Sequence, residues 1–282
     1  MTIEHRLSVF ASCLLCAATF LPAGALRAQM RGIACQPVPR EVVAQRFRRI
    51  HTDNTERETE LKTIFAEAGC PVDQLQEQMV KRKDPPNLIC TLPGTTGPLI
   101  IVGAHLDHAD KGSGAVDDWS GASLLPSLYQ ALKGSPRRHT FQFAEFTDEE
   151  KGLAGSDYYV KSLQKNQIST VRGVINLECL GLGPTEVWNH VANSELLAPL
   201  IIVAQNMGVV LQGMNVEAVG TDDTQPFRQR KVPVITIHSI TQETWPILHS
   251  AKDNLTAVHL DHLYASYLLV SSYLAFLDES LK

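Results

Sequence analysis

Apolar segments of strand length alternate with segments of helical character along most of this 282-residue chain. The strand candidates are 75–82, 87–92, 98–104, 139–146, 171–178, 185–188, 209–218 and 233–238. Helices are expected at 39–69, 119–133, 153–165, 193–207, 224–230 and 255–278, with Thr55 capping the second half of the first one and Gly69 ending it. This alternation predicts an α/β fold, in which helices cover both faces of a doubly wound sheet. Ligands of such sheets bind just beyond the carboxyl ends of the strands.

Residues 1–28 have the composition of a secretory signal peptide. A short basic start precedes an apolar run from Leu7 to Leu21, and small residues follow it. The run is shorter than the ~20 apolar residues that a membrane-spanning helix needs. We therefore expect export, with cleavage after Ala25 or Ala28 and no membrane association afterwards. Residues 29–282, in a chain that is 44% hydrophobic, are expected to form a single domain.

Charge and cysteine content favour an exported protein that does not bind nucleic acid. Cleavage after residue 28 removes Arg6, Arg27 and Glu4, so the formal net charge changes from −5 to −6. A mildly acidic protein is a poor partner for nucleic acid or an anionic membrane. Four cysteines remain, an even number typical of secreted or periplasmic proteins; they are Cys35, Cys70, Cys90 and Cys179. Three pairings are possible, and we prefer Cys70 with Cys90 because they flank a hairpin-like segment.

The apolar run 98–104 delivers His105 to the end of a strand. Asp107 stands two positions on, where its carboxylate can reach the far nitrogen of the His105 ring. Such a bond fixes the tautomer of a metal-ligating histidine and raises its basicity. One His-x-Asp pattern alone is more typical of a solvated turn.

The segment GAVDDWSGA holds two adjacent carboxylates, Asp117 and Asp118, in a glycine-flanked turn. Adjacent carboxylates repel each other in a partly buried place unless a cation compensates them. Asp117 can bridge two metals through its two oxygens. Alternatively, Asp118 or Ser120 caps a helix that begins near Trp119. Both interpretations hold together if Asp117 faces metal and Asp118 faces the backbone or a group that supports a ligand.

The pair Glu149 and Glu150 follows strand candidate 139–146. One carboxylate can bind a metal while the other takes a proton from a water molecule bound to that metal. The metal lowers the pKa of this water from 15.7 to roughly 7. A solvated helix start is the alternative for such a pair.

Two further residues complete a possible set of ligands. Glu178 closes the otherwise apolar strand 171–178, where an acid is costly unless it is paired or coordinates a metal. His249 lies in a loop before the last helix, and Asp253 in the same loop is a candidate cap. His238 is either a satisfied core histidine or part of a substrate pocket.

Five motifs follow one another along the chain: HxD, DDWSG, EExGLxGS, an acid after an apolar strand, and HxxxDN. This ordered set resembles the co-catalytic zinc aminopeptidases of metallopeptidase family 28, which include the bacterial leucyl aminopeptidases. The resemblance covers roughly residues 87–280. The resemblance implies a central mixed, mostly parallel sheet sandwiched between helices, and two zinc ions. One zinc would be held by His105, Asp117 and Glu178, and the other by Asp117, Glu150 and His249. Glu149 would be the general base and acid, Asp107 would support His105, and the peptide bond between Asp117 and Asp118 would be cis.

By this resemblance we expect an exported metallopeptidase that removes single, apolar N-terminal residues from peptides with a free N-terminus. Trp119 and Trp245 would wall its side-chain pocket, although core packing is as common for each. The sequence departs from the family's pattern in two ways that concern substrate specificity. Glu178 stands where these aminopeptidases often have Asp, and residues 210–227 contain no tyrosine to stabilise the tetrahedral oxyanion, as some members have. The alternatives are a glutaminyl cyclase, an acyltransferase of the same fold that typically uses one zinc, and a non-catalytic binding homologue. The complete set of ligands and base speaks against both.

Overall fold

The computed structural model describes residues 35–215 and 220–281. The predicted signal peptide, residues 1–28, lies outside the described residues, as does the last part of strand candidate 209–218.

The strands of the described residues are β1 (Leu75–Gln78), β2 (Asn87–Leu92), β3 (Leu99–His105), β4 (Thr140–Phe146), β5 (Val171–Leu177), β6 (Glu186–Trp188), β7 (Gln212–Met214) and β8 (Val234–His238). They form one mixed eight-stranded sheet, in the order β1-β2-β4-β3-β5-β8-β6-β7. Four neighbouring pairs are parallel, including the central β4–β3–β5–β8 series, and β1–β2, β2–β4 and β8–β6 are antiparallel. The predicted mixed, mostly parallel α/β sheet is therefore confirmed.

Helices cover both faces of this sheet. Along β3, Ile100 and Val102 pack into one apolar cluster while Ile101 packs into another, because successive side chains of a strand point to opposite faces. A strand buried on both faces is apolar throughout, which is why the central strands were recognisable as apolar runs. The helices are α1 (Arg40–Phe47), α2 (Asn54–Ala68), α3 (Trp119–Ala122), α4 (Leu125–Lys133), α5 (Ala154–Ser162), α6 (Lys165–Ile168), α7 (Ser194–Met207), α8 (Gln225–Gln229) and α9 (Leu260–Ser280).

The expected helix 39–69 is two helices, and its predicted cap is wrong. The side chain of Asp53 accepts hydrogen bonds from the backbone N–H groups of Thr55 (2.9 Å) and Glu56 (3.0 Å), so Asp53 caps α2 and Thr55 lies in its first turn. Gly69 ends α2 as predicted, with a left-handed φ of 90°. Glycine adopts this conformation without the steric penalty of a Cβ atom.

The preferred disulfide pair is present. Cys70, just after α2, is bonded to Cys90 of β2. Among the cysteines that the structure describes, Cys35 and Cys179 form no disulfide, and Cys179 is buried. Within the described residues, no helix has both the length and the apolar character needed to cross a membrane.

The parallel strands bring separate parts of the chain to one edge of the sheet. β3, β4 and β5 run side by side in the same direction, with His105 opposite Phe146. Their carboxyl ends therefore meet, and the residues that end or follow them (His105, Glu149, Glu150 and Glu178) are placed together.

Replacing Asp53 by alanine removes the side-chain acceptor for two backbone N–H groups at the start of α2. We expect the free energy of unfolding to fall by about 1 kcal/mol, the usual effect of losing an N-cap. Urea unfolding of the wild type and of Asp53→Ala would measure this difference in the free energy of unfolding. Thr55→Ala is the matched control, and an equal loss in both variants would contradict the assignment of the cap.

Candidate metal centre

The five predicted ligands converge at the carboxyl edge of the sheet. They form two groups that share Asp117, and the ligand atoms within each group lie within 4.8 Å of one another; the groups are His105, Asp117, Glu178 and Asp117, Glu150, His249. His105 Nε2 lies 3.0 Å from Asp117 Oδ1, and His249 Nε2 lies 3.1 Å from Asp117 Oδ2. The two oxygens of Asp117 thus face different histidines.

Each group also contains a second carboxylate. Glu178 Oε1 lies 3.4 Å from His105 Nε2, and Glu150 Oε2 lies 3.1 Å from His249 Nε2. In the first group His105 and Asp117 are buried and Glu178 is partly buried, the His105 side chain being only 1% exposed, whereas the His249 side chain of the second group is 59% exposed. One group therefore lies inside the edge of the sheet and the other at its mouth.

Asp117 is held by the backbone and by the loop that carries His249. Its peptide bond to Asp118 is cis, as the resemblance implied. The carboxylate of Asp253 accepts hydrogen bonds from the N–H groups of Val116 (2.7 Å) and Asp117 (3.2 Å). The expectation that Asp253 caps a helix is wrong, because Asn254 caps the short 3-10 helix that follows. Asp253 instead joins the His249 loop to the Asp117 turn.

Asp118 faces the backbone, as predicted. Its carboxylate accepts hydrogen bonds from the N–H of Gly121 (3.0 Å) and from the N–H of Cys179 (3.0 Å). Through the first of these bonds Asp118 caps α3. A Cβ on Gly121 would lie 2.6 Å from Asp118 Oδ2, so the turn requires glycine there. Asp118 thereby connects the start of α3 to the residue after Glu178. Burial, with the nearby charge of Glu178, raises the pKa of Asp118 well above its usual range.

Asp107 supports the site through different atoms from those expected. His105 Nδ1 lies 3.1 Å from the carbonyl oxygen of Asp107, and the Asp107 carboxylate is further away, at 3.6 Å. A carbonyl only accepts, so Nδ1 donates and a neutral His105 leaves Nε2 free for a metal. The carboxylate accepts from the N–H groups of Glu149 (3.0 Å) and Glu150 (3.2 Å). Asp107 therefore orients both the histidine and the glutamate pair.

Protons on the two histidines offset the charge of the neighbouring carboxylates. Burial opposes the charged form of His105, but hydrogen bonds to the surrounding carboxylates outweigh it and raise the pKa of the ring well above its usual value. Hydrogen bonds to Asp117 and Glu150 raise the pKa of His249 to about 10. Burial and neighbouring acids raise the pKa of the Glu149 carboxyl well above its usual range.

A cavity of about 480 Å³ opens onto the centre, lined by Glu149 and four of the predicted ligands together with apolar side chains. Trp245 is a wall of this cavity, as predicted, with 43% of its surface exposed. Trp119 is buried and donates from Nε1 to the carbonyl of Phe47 (2.7 Å), so its role is core packing and the pocket assignment is wrong. Trp188, which the sequence analysis missed, is a second wall.

His238 is buried and lines the cavity, which favours its interpretation as part of a substrate pocket; within the described residues its buried Nε2 has no hydrogen-bond partner, so it is not a satisfied core histidine. Its Nδ1 accepts from the N–H of Ile240 (3.0 Å), and burial lowers the pKa of the ring to about 4. His238 is therefore a neutral group in the cavity wall near neutral pH.

Asp222 and Asp223 are buried near the centre and were missed. Asp222 lines the cavity and accepts from Thr224 and Thr236, while burial raises the pKa of Asp223 to about 8. Asp222 and Asp223 are adjacent acids, which is the sequence signal that identified Asp117 and Asp118 as candidates and could have identified this pair too.

The fold is one that solved aminopeptidase structures share. The crystal structure of the Legionella pneumophila LapA aminopeptidase is similar with a TM-score of 0.72 and 20% sequence identity, covering 93% of this chain and 76% of that one. The crystal structure of a glutaminyl cyclase from an Acidobacteriales bacterium is similar with a TM-score of 0.68 and 17% identity, covering 86% of this chain and 97% of that one.

The sequence model of Peptidase family M28 matches residues 87–274, and the chain belongs to this family. Among curated relatives, the probable leucine aminopeptidase 2 of Trichophyton verrucosum is 30% identical over 122 residues, which is 43% of this chain. The match covers about a quarter (25%) of that relative's length.

The metal-free protein should lose thermal stability as pH rises from 6.5 to 10. His249 has a folded pKa of about 10 against an ordinary 6.5, so the stability it contributes is fully present below the lower value and is lost as pH rises through the higher one. The raised pKa of Asp223, about 8, acts in the same direction. Unfolding midpoints of chelator-treated protein would measure the trend, and a midpoint that climbs across this window would contradict it.

Proposed function

We propose that this protein is an exported two-zinc aminopeptidase, which hydrolyses the N-terminal peptide bond of peptides. One observation carries the proposal: the two oxygens of Asp117 face two separate groups, each with one histidine and one further carboxylate. A carboxylate shared in this way can hold two neighbouring divalent cations, as in enzymes that use two metal ions. Membership of Peptidase family M28 supports the reaction class.

The residues present fit zinc. Imidazole nitrogen and carboxylate oxygen are ordinary zinc ligands, and both histidines direct Nε2 toward carboxylates. Within the part of the chain that the structure describes, Glu150 Oε1 is buried without a hydrogen-bond partner. A buried carboxylate oxygen without a donor is costly unless a cation lies beside it. We assign His105, Asp117 and Glu178 to one ion, and Asp117, Glu150 and His249 to the other.

Glu149 is the proposed general base and acid. When bound, zinc supplies Lewis-acid chemistry that lowers the pKa of water and polarises a carbonyl. Glu149 belongs to neither group of ligands, yet its side chain lines the cavity beside them. A carboxyl whose pKa is raised by burial can take a proton from the attacking water and deliver it to the departing amine. The carboxylate of Asp107 would hold Glu149 in place by accepting a hydrogen bond from the backbone N–H of Glu149.

The substrate is proposed to be a peptide with a free α-amino group. The cavity is lined by the acids Glu149, Glu150 and Glu178, which favour an ammonium group that an internal peptide bond does not offer. Apolar walls that include Trp245 and Leu248 suit an apolar first side chain. Export is supported by the disulfide between Cys70 and Cys90, since such bonds persist in oxidising compartments.

A glutaminyl cyclase is the second candidate, favoured by the structural similarity that covers 97% of a protein so named. The presence of both groups of ligands favours the peptidase. Incubation with aminoacyl and glutaminyl peptides, with and without chelator, separates the candidates. Cyclisation without hydrolysis would support the cyclase, and no turnover at all would support a binding protein.

Glu149→Gln should retain zinc and reduce kcat by roughly 10²- to 10⁴-fold, because it removes a proton-transfer group that is not a ligand. Metal analysis together with peptide hydrolysis measures both effects. Glu195→Gln, at an exposed position in the first turn of α7, is the control. Loss of zinc together with activity would mean that Glu149 and Glu150 have exchanged roles.

N-acetylation of a peptide should block its hydrolysis, because the acetyl group removes the ammonium that the acidic cavity favours. Release of free leucine from matched leucyl and N-acetyl-leucyl peptides is the measurement. If both were cleaved at equal rates, the aminopeptidase assignment would have to give way to another hydrolase.

A further inference from the structure

Arg57 is a fully buried cation in α2, a helix that precedes the region matched by the family model, residues 87–274. A buried guanidinium is rare unless its donors are satisfied and its charge is compensated. Its contacts therefore indicate what it does for the fold.

All five N–H donors of the guanidinium are directed at backbone carbonyls. Nε donates to His51 (2.8 Å), and Nη1 donates to Leu106 (2.9 Å) and Asp107 (3.3 Å). Nη2 donates to Ser113, in a short bond, and to Gly114 (3.2 Å). Four of the five acceptors belong to the loop 106–114, which connects His105 to the Asp117 turn.

One of these carbonyls joins Arg57 directly to a predicted ligand. The carbonyl oxygen of Asp107 accepts from Arg57 Nη1 and also lies 3.1 Å from His105 Nδ1. The bond to Nδ1 sets the ring orientation and the tautomer that leaves Nε2 available. Arg57 therefore fixes the position of the group that orients His105.

The loop is shaped to this guanidinium. Gly114 has a φ of 56°, and a Cβ there would lie 3.0 Å from Arg57 Nη2 and 2.3 Å from His108 Cβ. On the other side, the N–H of Ser113 donates to the carbonyl of Asp253 (2.7 Å). The loop is thus held between Arg57 and the residue that binds the Asp117 turn.

The charge of Arg57 is not neutralised by these neutral carbonyl acceptors. Burial lowers the pKa of Arg57 only to about 10, so it stays cationic at neutral pH, and the nearby carboxylates that act on it include Asp107, Asp253, Asp118 and Asp117. The guanidinium therefore offsets part of the negative charge that collects at the centre.

We propose that Arg57 is a positioning residue of the metal centre, which holds loop 106–114 so that His105, Asp107 and Asp117 are aligned before metal binds. The proposal rests on the proposed two-zinc function for its effect on turnover, but its structural effect is independent of turnover. It also makes the N-terminal helix α2 a support of the metal centre.

The test compares Arg57→Lys with Arg46→Lys in the mature protein. Arg46 is also buried in the N-terminal segment, but it donates to Ser127 (2.8 Å) and Gln130 (2.6 Å) on α4 instead of the loop. Lysine keeps the charge and loses most of the bonds, so both variants lose packing and only one loses the loop contacts. Chelator competition measures the zinc Kd, and peptide hydrolysis gives kcat and KM.

We expect Arg57→Lys to raise the zinc Kd at least tenfold, as loss of groups that orient metal ligands does, and to lower kcat more than it raises KM. Arg46→Lys should change the zinc Kd less than twofold, even if both variants unfold at equally reduced temperatures. An equal effect of both variants on zinc Kd, or no effect of either, would overturn the proposal.

Hydrogen exchange of the metal-free proteins decides the matter even if the wild type takes up no zinc or cleaves no peptide, results that would count against the proposed function alone. Amides in 106–119 should exchange at least tenfold faster in Arg57→Lys than in Arg46→Lys, and equal protection would refute the positioning role. If Arg57→Lys does not fold, Gly114→Ala disturbs loop 106–114 itself, because a Cβ there would meet His108 Cβ (2.3 Å), the carbonyl of Asp117 (2.7 Å) and Arg57 Nη2 (3.0 Å). It should raise the zinc Kd and speed exchange in the same way, and wild-type values would refute the idea that Arg57 acts by holding the geometry of this loop.

Discussion

Repulsion among carboxylates gathered at one edge of the sheet is the constraint on which the rest of the structure depends. Asp107, Asp117 and Asp118 are buried there, with Glu178 beside them. Like charges in a poorly solvated place raise the free energy of the fold unless cations or N–H donors offset them. Backbone N–H groups satisfy Asp107 and Asp118, two imidazoles face Asp117, and Arg57 adds a buried positive charge.

The fold supplies the rigid part of this arrangement and the loops supply the rest. β3 and β5 are central, parallel and buried, so the sheet fixes the backbone at His105, which ends β3, and just before Glu178, which follows β5. Asp117 and His249 lie in loops, which lack that support. Asp253 connects these two loops, and Arg57 connects the preceding loop to α2. The supporting bonds are concentrated where the sheet does not reach.

Proteins that share this fold are named for different reactions. Structures named as an aminopeptidase and as a glutaminyl cyclase are both similar to this chain, so the sheet alone does not select a reaction. The selection lies in the side chains at the edge. In the proposed function, the carboxylate of Asp117, shared between two histidine-containing groups, would hold two cations, and Glu149, which belongs to neither group, would be the base for hydrolysis.

The central strands and the five candidate ligands could be predicted from sequence, because apolar runs predict buried strands and parallel strands end together. Candidate 87–92 has the bounds of β2, whereas the outer candidates 75–82 and 209–218 correspond to the shorter strands β1 and β7. The three-dimensional contacts were needed to show that Asp53 caps α2, that Trp119 packs in the core and that Asp107 meets His105 through its carbonyl. Tertiary structure also brought Arg57 to carbonyls about 50 residues further along the chain. These outcomes depend on the direction of individual side chains and on contacts between distant segments, which no local pattern of residues contains.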